Sequence, residues 1–358
     1  MREFFQFNRT ELEEFVTTEL ELPRYRVDQL FQWVYQKRVF DPESWTNIGK
    51  ADRERLKNVF QFPTLDPKLR VRSIDGTRKY LFTVAEDEVE SVMIKQPERM
   101  TLCVSSQVGC ALGCKFCQTG TMGLKRHLSQ GEILTQVFGV LVDSDLNFGD
   151  TFSNMVFMGM GEPFHNYEAV TRAISVLNDP HGLALSPRKI TVSTAGLVPS
   201  IERFFKERVG ANLAVSLNAT TDEVRNEVMP INRKFPLEKL LGSLRNADLP
   251  PRKRITIEYV MLRGVNDSDD DLKRLPQLLR GIPCKVNLIP YNFNTGLGYE
   301  CPEEGTLHKW QKELMRHNFV VTIRWSKGRD IDAACGQLVT KSAQKGRLRE
   351  PSQVAANG

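Results

Sequence analysis

The chain has 358 residues, 41% of them hydrophobic and 26% charged, with a net charge of +5. This composition suits an ordinary soluble globular protein of about two domains and excludes a disordered or fibrous chain. The N-terminus is polar within a few residues and no apolar run approaches a membrane span, so neither a signal peptide nor a membrane partner is expected, and the expected location is cytoplasmic.

In chain order, residues 1–75 read as short helices forming a small N-terminal helical domain. Thr10 and Glu13 match a capping box ahead of Leu12, Phe15, Val16 and Leu20. Leu30, Trp33, Val34 and Phe40 recur at helical spacing, and Asp41-Pro42 supplies a cap with a first-turn proline. A bundle of this size is too small for an active site, so docking to a partner is the role expected of it. Residues 76–98 predict a β-hairpin, with strands over 80–84 and 89–94 turning at Glu86-Asp87.

From 99 to 340 the pattern alternates. Strands are predicted near 101–104, 154–158, 189–192, 212–217, 255–260, 285–289 and 320–325. Helices are predicted near 129–142, 167–177, 199–205, 236–246, 269–279 and 303–317. Such alternation implies a parallel sheet covered by helices. Residues 341–358 are polar and carry Lys341, Lys345, Arg347 and Arg349, which predicts a disordered basic tail. Other basic tracts are Lys125-Arg126-His127, Arg233-Lys234 and Arg252-Lys253-Arg254. Each reads first as solvated surface; an RNA partner is permitted by them, not demanded.

The most informative segment is Gly109-Cys110-Ala111-Leu112-Gly113-Cys114-Lys115-Phe116-Cys117. With 7 Cys in the chain, only about 0.003 such C-x3-C-x2-C triplets are expected by chance. In a reducing compartment clustered thiols point to metal binding or catalysis rather than disulfides. Three thiolates complete neither a structural zinc site, which takes four ligands, nor the full set of a four-iron cubane, where one iron would stay open to an outside molecule. His127 lies too far along the chain to be the usual fourth zinc ligand.

The other unusual segments follow predicted strands: Gly159-Met160-Gly161-Glu162-Pro163, Ser193-Thr194, Ser216-Leu217-Asn218, Pro290-Tyr291-Asn292 and the loop holding Cys335. In an α/β barrel these positions converge on the C-terminal face, where ligands bind. Gly159 and Gly161 would admit a close backbone approach to a ligand, or simply make a tight turn.

Cys110-x3-Cys114-x2-Cys117 resembles the cluster motif of radical S-adenosylmethionine (SAM) enzymes. The string from Thr101 to Cys110, Gly159-Met160-Gly161-Glu162-Pro163, and Asp330-Ile331-Asp332-Ala333-Ala334-Cys335-Gly336-Gln337-Leu338 are similar to one branch, the RlmN/Cfr family of RNA adenine methyltransferases. The likeness runs from the N-terminal helices to Leu338, and Pro163 favours the RlmN type, which modifies adenine C2 in 23S rRNA and in some tRNAs, over the C8-methylating type.

The resemblance implies an α/β fold: a partial (β/α)6 radical SAM barrel with a small helical N-terminal domain and a hairpin extension. It implies a [4Fe–4S] cluster on Cys110, Cys114 and Cys117 whose open iron chelates SAM. Gly161 and Glu162 would hold the SAM amino group, and Ser193, Ser216, Leu217, Asn218 and Asn292 the rest of it. Asn218 stands where many relatives carry His. Adenine C2 is an electron-poor carbon that cannot attack a SAM methyl directly, so a radical from a cofactor is required. By resemblance Cys335 takes a methyl from one SAM and a second SAM yields the 5′-deoxyadenosyl radical. The resulting Cys335 methylene joins C2, Glu90 removes the C2 proton, and Cys103 resolves the adduct as a Cys103–Cys335 disulfide. The implied partners are 23S rRNA, tRNA beside the anticodon, and an electron donor such as flavodoxin or ferredoxin, acting on a monomer.

Two other readings of the residues stay open at this stage. One is a radical SAM enzyme acting at adenine C8 or on a substrate other than RNA; the other is an RNA-binding protein with a structural cluster and no turnover. Cys284 and Cys301 match no functional position and read as plain packing.

Overall fold

The computed structural model describes residues 1–340; the predicted basic tail lies outside them. The N-terminal part comprises β1 (Arg2–Glu3), α1 (Arg9–Thr18), α2 (Tyr25–Phe31), α3 (Lys50–Val59) and β2 (Phe60–Gln61), with β1 and β2 paired in parallel. The capping box of α1 falls on Asn8 and Glu11, not on Thr10 and Glu13: Asn8 begins the helix two residues earlier than predicted and satisfies the first free N–H groups. The Asp41-Pro42 cap forms as expected, with Asp41 accepting from the Glu43 N–H. Phe4, Phe5, Phe31, Tyr35 and Phe60 build an aromatic core that reaches Phe138 of the next unit.

An antiparallel meander follows: β3 (Leu69–Arg72), β4 (Arg78–Val84), β5 (Asp87–Gln96) and β6 (Arg99–Cys103). Leu69–Arg72, inside the span predicted helical, is therefore an outer strand of the main sheet. The hairpin turn lies one residue earlier than predicted, since Val84 faces Asp87 and Ala85 takes the left-handed conformation at φ 51°. A small antiparallel pair, β7 (Gln107–Cys110) and β8 (Gly123–His127), frames the cysteine loop around the short α4 (Gln118–Thr121).

The chain then alternates as predicted: α5 (Gln130–Phe148), β9 (Asn154–Phe157), α6 (Tyr167–Asn178), β10 (Ile190–Thr194), α7 (Val198–Lys206), β11 (Asn212–Ser216), α8 (Asp222–Val228), α9 (Leu237–Arg245), β12 (Ile255–Met261), α10 (Asp269–Leu278), β13 (Cys284–Pro290), α11 (Glu304–Arg316) and β14 (Val321–Ile323). Of these, α8 was not predicted. The sheet order is β14-β13-β12-β11-β10-β9-β6-β5-β4-β3, parallel from β6 to β14. β14 and β3 are the two free edges, so the α/β sheet curves as a partial barrel that does not close. The parallel strands read as apolar runs because helices or the barrel interior cover both faces. Among the described residues no helix is long and apolar enough to cross a membrane.

The N-terminal helices are welded to the barrel. Gln6 Nε2 donates to Ser129 Oγ at 2.9 Å, Arg172 donates to Gln6 O at 2.7 Å and to Glu11 at 2.6 Å, and Phe138 of α5 enters the aromatic core. Deleting this part would strip apolar cover from α5 as well as any docking surface.

Candidate active site

The C-terminal ends of the parallel strands open onto a cavity. Cys110, Cys114 and Cys117 line one wall of it; Glu162, Ser193, Ser216, Asn292 and Cys335 line the others. Cys110 ends β7, Cys117 precedes α4, and Cys114 lies in the loop between, packed against the cluster of Ala195, Val228, Met229, Leu262 and Tyr291. The loop is pinned from two sides. Lys115 N–H donates to Val228 O at 3.0 Å, while Gln118 N–H donates to Gly336 O at 2.8 Å and Thr119 Oγ1 to Leu338 O at 2.7 Å, tying it to the Cys335 loop.

Burial holds all three thiols protonated beyond the ordinary range, Cys110 at about 12 and Cys114 and Cys117 also raised, with the neighbouring cysteines adding to the effect. A bound cation would reverse this, because metal ligation requires and rewards the thiolate. Among the described residues no three His, Cys, Asp or Glu side chains gather closely enough to hold one metal ion. A zinc ion needs ligands converging within about 2.3 Å of a point, whereas a cubane spreads its thiolates over separate irons.

Glu162 is 3% exposed, and its carboxylate accepts from Phe164 N–H at 3.0 Å and Ala195 N–H at 2.8 Å. Burial outweighs these bonds and raises its pKa to about 7. The two glycines before it are packing necessities. A Cβ on Gly159 would lie 2.6 Å from Val104 O, and one on Gly161, whose φ is 101°, would lie 2.5 Å from Gln107 Cβ. Gln107 in turn accepts from Glu162 N–H at 2.7 Å and meets His127 at 2.9 Å. His127 is thus a neighbour of the Glu162 turn, and it is absent from the cavity wall formed by the cysteines.

Ser193 Oγ donates to Glu258 Oε2 at 2.8 Å, and Asn292 Nδ2 donates to Cys335 O at 3.0 Å. Glu258 Oε1 and Asn292 Oδ1 are buried acceptors with no hydrogen bond. Glu258 Oε1 is met by Arg324 at 3.5 Å. Asn292 Oδ1 has no partner, and an unpaired buried polar atom is costly enough to mark the cavity as built for a polar ligand. Leu217 and Asn218 follow Ser216 but are not themselves among the residues that line the cavity. Leu217 is fully buried in the core. Asn218, at φ 56°, accepts from Val260 N–H at 2.8 Å through Oδ1 and lies 3.2 Å from the Met229 sulfur through Nδ2. Its amide is committed to holding the β11–α8 turn, in a left-handed conformation that Asn tolerates better than most residues.

Arg225, on the unpredicted α8, closes this wall from behind. It is fully buried and donates to Leu217 O at 2.9 Å, Ala195 O at 2.7 Å, Ser216 O at 3.1 Å and Asn232 Oδ1 at 2.8 Å. It therefore fixes the loops after β10 and β11 together. Burial lowers its pKa to about 10, leaving it charged at neutral pH. A seven-residue helix of ordinary composition carries no sequence signal for this role.

Cys335 also borders a second cavity, together with Cys103, Met158 and Arg324. Burial, then Cys335, pushes the Cys103 thiol to about 12. Arg324 lies 3.5 Å from Glu258 and is held charged above its usual range, first by Cys335. All seven cysteines are free thiols, so the Cys103–Cys335 disulfide is not formed. Cys284 is buried in β13 and Cys301 is exposed, away from both cavities.

Glu90 lines neither cavity. It is 2% exposed, with Oε1 3.1 Å from Lys79 Nζ and Oε2 accepting from Val339 N–H at 2.9 Å. Lys79 also donates to Asp332 O at 3.2 Å, so the pair grips both ends of the Cys335 loop. Burial raises the Glu90 pKa and Lys79 opposes that rise. The pairing was legible once the hairpin register is drawn: Leu81 faces Glu90, which makes Lys79 its diagonal neighbour on the same face.

Of the basic tracts, Lys125 and Arg126 are both paired to Asp87, and Arg126 also to Glu132. Arg252-Lys253-Arg254 precedes β12, at the end of the barrel opposite the cavity.

Two families match the chain: the Radical SAM superfamily over residues 104–275, and the ribosomal RNA large subunit methyltransferase N-terminal domain over residues 2–62. The dual-specificity RNA methyltransferase RlmN of Syntrophotalea carbinolica is 47% identical, covering 94% of this chain and 89% of its own. That of Geobacter sulfurreducens is 49% identical, covering 89% and 87%. A solved radical SAM methyltransferase from Sphaerobacter thermophilus is 40% identical with a TM-score of 0.87, covering 94% of this chain and 99% of that one.

Proposed function

Because the chain belongs to the RlmN family of radical SAM RNA methyltransferases, we propose that it methylates adenine C2 in 23S rRNA, and in tRNA beside the anticodon, through a methyl group carried on Cys335. As a member it is a SAM-dependent RNA methyltransferase. The observation that carries the finer reading is the position of Cys335, on the shared wall between the cavity of the three cysteines and the cavity of Cys103.

The residues fit the cofactors of the family. Cys110, Cys114 and Cys117 would hold a [4Fe–4S] cluster, and Glu162, Ser193, Ser216 and Asn292 offer SAM a buried carboxylate, two hydroxyls and an orphaned amide oxygen. When bound, these cofactors supply a carbon radical able to attack an electron-poor ring. Leu217 and Asn218 continue the Ser216 segment that contacts SAM in this reading. Cys335 serves as methyl carrier, Cys103 as the thiol that releases the product RNA from it, and Glu90 as acceptor of the C2 proton.

Glu90 can accept a proton only while ionised, and activity should rise with pH through its pKa. Lys79 favours the ionised form, whereas burial and Asp332 oppose it. In Lys79→Met the Glu90 pKa should rise further, so the acidic limb of the kcat profile should move to higher pH. A limb that stays in place would remove Glu90 as the base.

The N-terminal helices are the docking unit in this reading, with Lys50 and Arg55 exposed on α3. The test is mass spectrometry of rRNA and tRNA from a deletion strain, where 2-methyladenosine should disappear and return with the wild-type gene. Loss of 8-methyladenosine instead would place the chemistry at C8. Retention of 2-methyladenosine in tRNA alone would limit the substrate to rRNA. Complementation with Lys50→Glu, Arg55→Glu should restore little methylation; full restoration would refute docking through α3.

A further inference from the structure

Three cations are buried among the described residues: Arg78 and Lys79 on β4, and Arg225 on α8. Arg78 lies 2.6 Å from Asp150, and Lys79 lies 3.1 Å from Glu90. Arg225 is different. It donates only to neutral acceptors, the carbonyls of Ala195, Ser216 and Leu217 and the side-chain oxygen of Asn232. Asn232 turns its other end to Asp222 Oδ1 at 2.8 Å, which keeps that carboxylate one side chain away from the guanidinium. Ala195 separates Glu162 in the same way, accepting from Arg225 at its C=O and donating to Glu162 Oε2 from its N–H. A buried cation without a counter-ion is costly, and neutral hydrogen bonds do not cancel its charge. The charge that it meets across the wall is that of Cys114, whose ionisation Arg225 favours against burial.

We propose that Arg225 is the fixed counter-charge of the thiolate-held cluster, a positioning residue that raises the cluster's reduction potential. The inference rests on the cluster reading and gives a second task to a side chain that also braces two loops. Net charge and surroundings set the potential of an iron–sulfur cluster, and each electron taken up makes the thiolate-bound group more negative. A cation held behind Cys114, in a weakly polarisable interior, stabilises the reduced state more than the oxidised one. Arginine suits the place because it stays charged when buried; burial brings its pKa down only to about 10. The fork of donors then fixes the charge at one point, with Ala195, Ser216 and Leu217 as its anchors.

The test is a redox titration of the full chain, loaded with iron and sulfide without oxygen, before SAM is added. The reduced cluster is read by electron paramagnetic resonance. Arg225→Gln removes the charge, and at a fixed potential its reduced-to-oxidised ratio should fall roughly tenfold, equivalent to about 59 mV. Arg225→Lys loses the fork but keeps the charge, and its ratio should stay within about twofold of wild type. The Kd for SAM should rise in both variants, because both loosen the loops after β10 and β11. That constant therefore reads the bracing, and the potential reads the charge. Asp222→Asn leaves Arg225 and its hydrogen bonds in place, and Asn keeps the oxygen that accepts from Leu237 N–H at 2.9 Å. With a nearby negative charge gone, its ratio should rise about threefold. This variant decides the matter if the Arg225 proteins are recovered without iron. Equal potentials in Arg225→Lys and Arg225→Gln would overturn the proposal, as would an unmoved potential in Asp222→Asn. Either result, in protein holding roughly four irons, leaves the cluster reading intact. Wild-type protein that takes up no cluster would overturn both.

Discussion

Cys103→Ala protein should be isolated with RNA covalently attached through Cys335, while Cys335→Ala should carry none. Both thiols border one cavity, but only Cys335 also reaches the cavity of the cluster cysteines. A carrier that is missing leaves no nucleophile to methylate, so Cys335→Ala should lose activity by more than roughly 10³-fold. A missing resolving thiol leaves every earlier step intact, and the linked protein–RNA species accumulates. It would appear as a mass increase removed by nuclease down to a modified nucleotide on Cys335. Glu90→Ala should stall at the same stage. If the two cysteines were merely packed small residues, each Cys→Ala change would cost on the order of 1 kcal/mol of stability and both would behave alike. Equal behaviour with no trapped RNA would overturn the roles.

Cys114→Ala should abolish both the cluster and the reaction. Cys114 is the middle thiol of the three and the one packed against the apolar cluster that includes Met229 and Tyr291 at the cavity wall. Anaerobically prepared wild-type protein should carry roughly four irons and broad visible absorption, and the variant should retain neither. SAM cleavage should fall with the iron, because the open iron is where SAM is expected to bind. Stoichiometric zinc in protein that remains active would sink the cluster reading. The fold should survive the change, since the loop is also held by Lys115 N–H on Val228 O and Gln118 N–H on Gly336 O. A thermal melt close to wild type therefore separates loss of cofactor from loss of structure.

Much of the fold was legible because it is encoded locally. The alternation of strands and helices from β6 to β14 follows apolar runs and caps that act within a dozen residues, such as the Ser129–Glu132 and Ser268–Asp271 boxes. Misreadings occurred where local signals compete or are short. Asn8 outcompeted Thr10 as the cap of α1, and β3 and α8 are too brief to show a period. Leu217 and Asn218 sit in a motif that follows a strand, and the left-handed backbone at Asn218 commits its amide to Val260 and Met229. Handedness at one residue decides that, and spacing does not reveal it.

By itself the sequence determined the three-cysteine loop and the alternating α/β order, because three thiols within one loop and a repeating strand–helix pattern are properties of neighbouring residues. The tertiary structure alone decided which residues meet. Cys103 at the end of β6 and Cys335 beyond β14 share a cavity because the strands between them curve the sheet until its C-terminal ends converge. The same convergence sets Arg225 behind the cavity wall and lets Lys79 and Glu90 grip the Cys335 loop at Asp332 and Val339. Contacts between residues so distant in the chain depend on strand register and sheet curvature, and both arise from packing of the whole barrel rather than from any one segment.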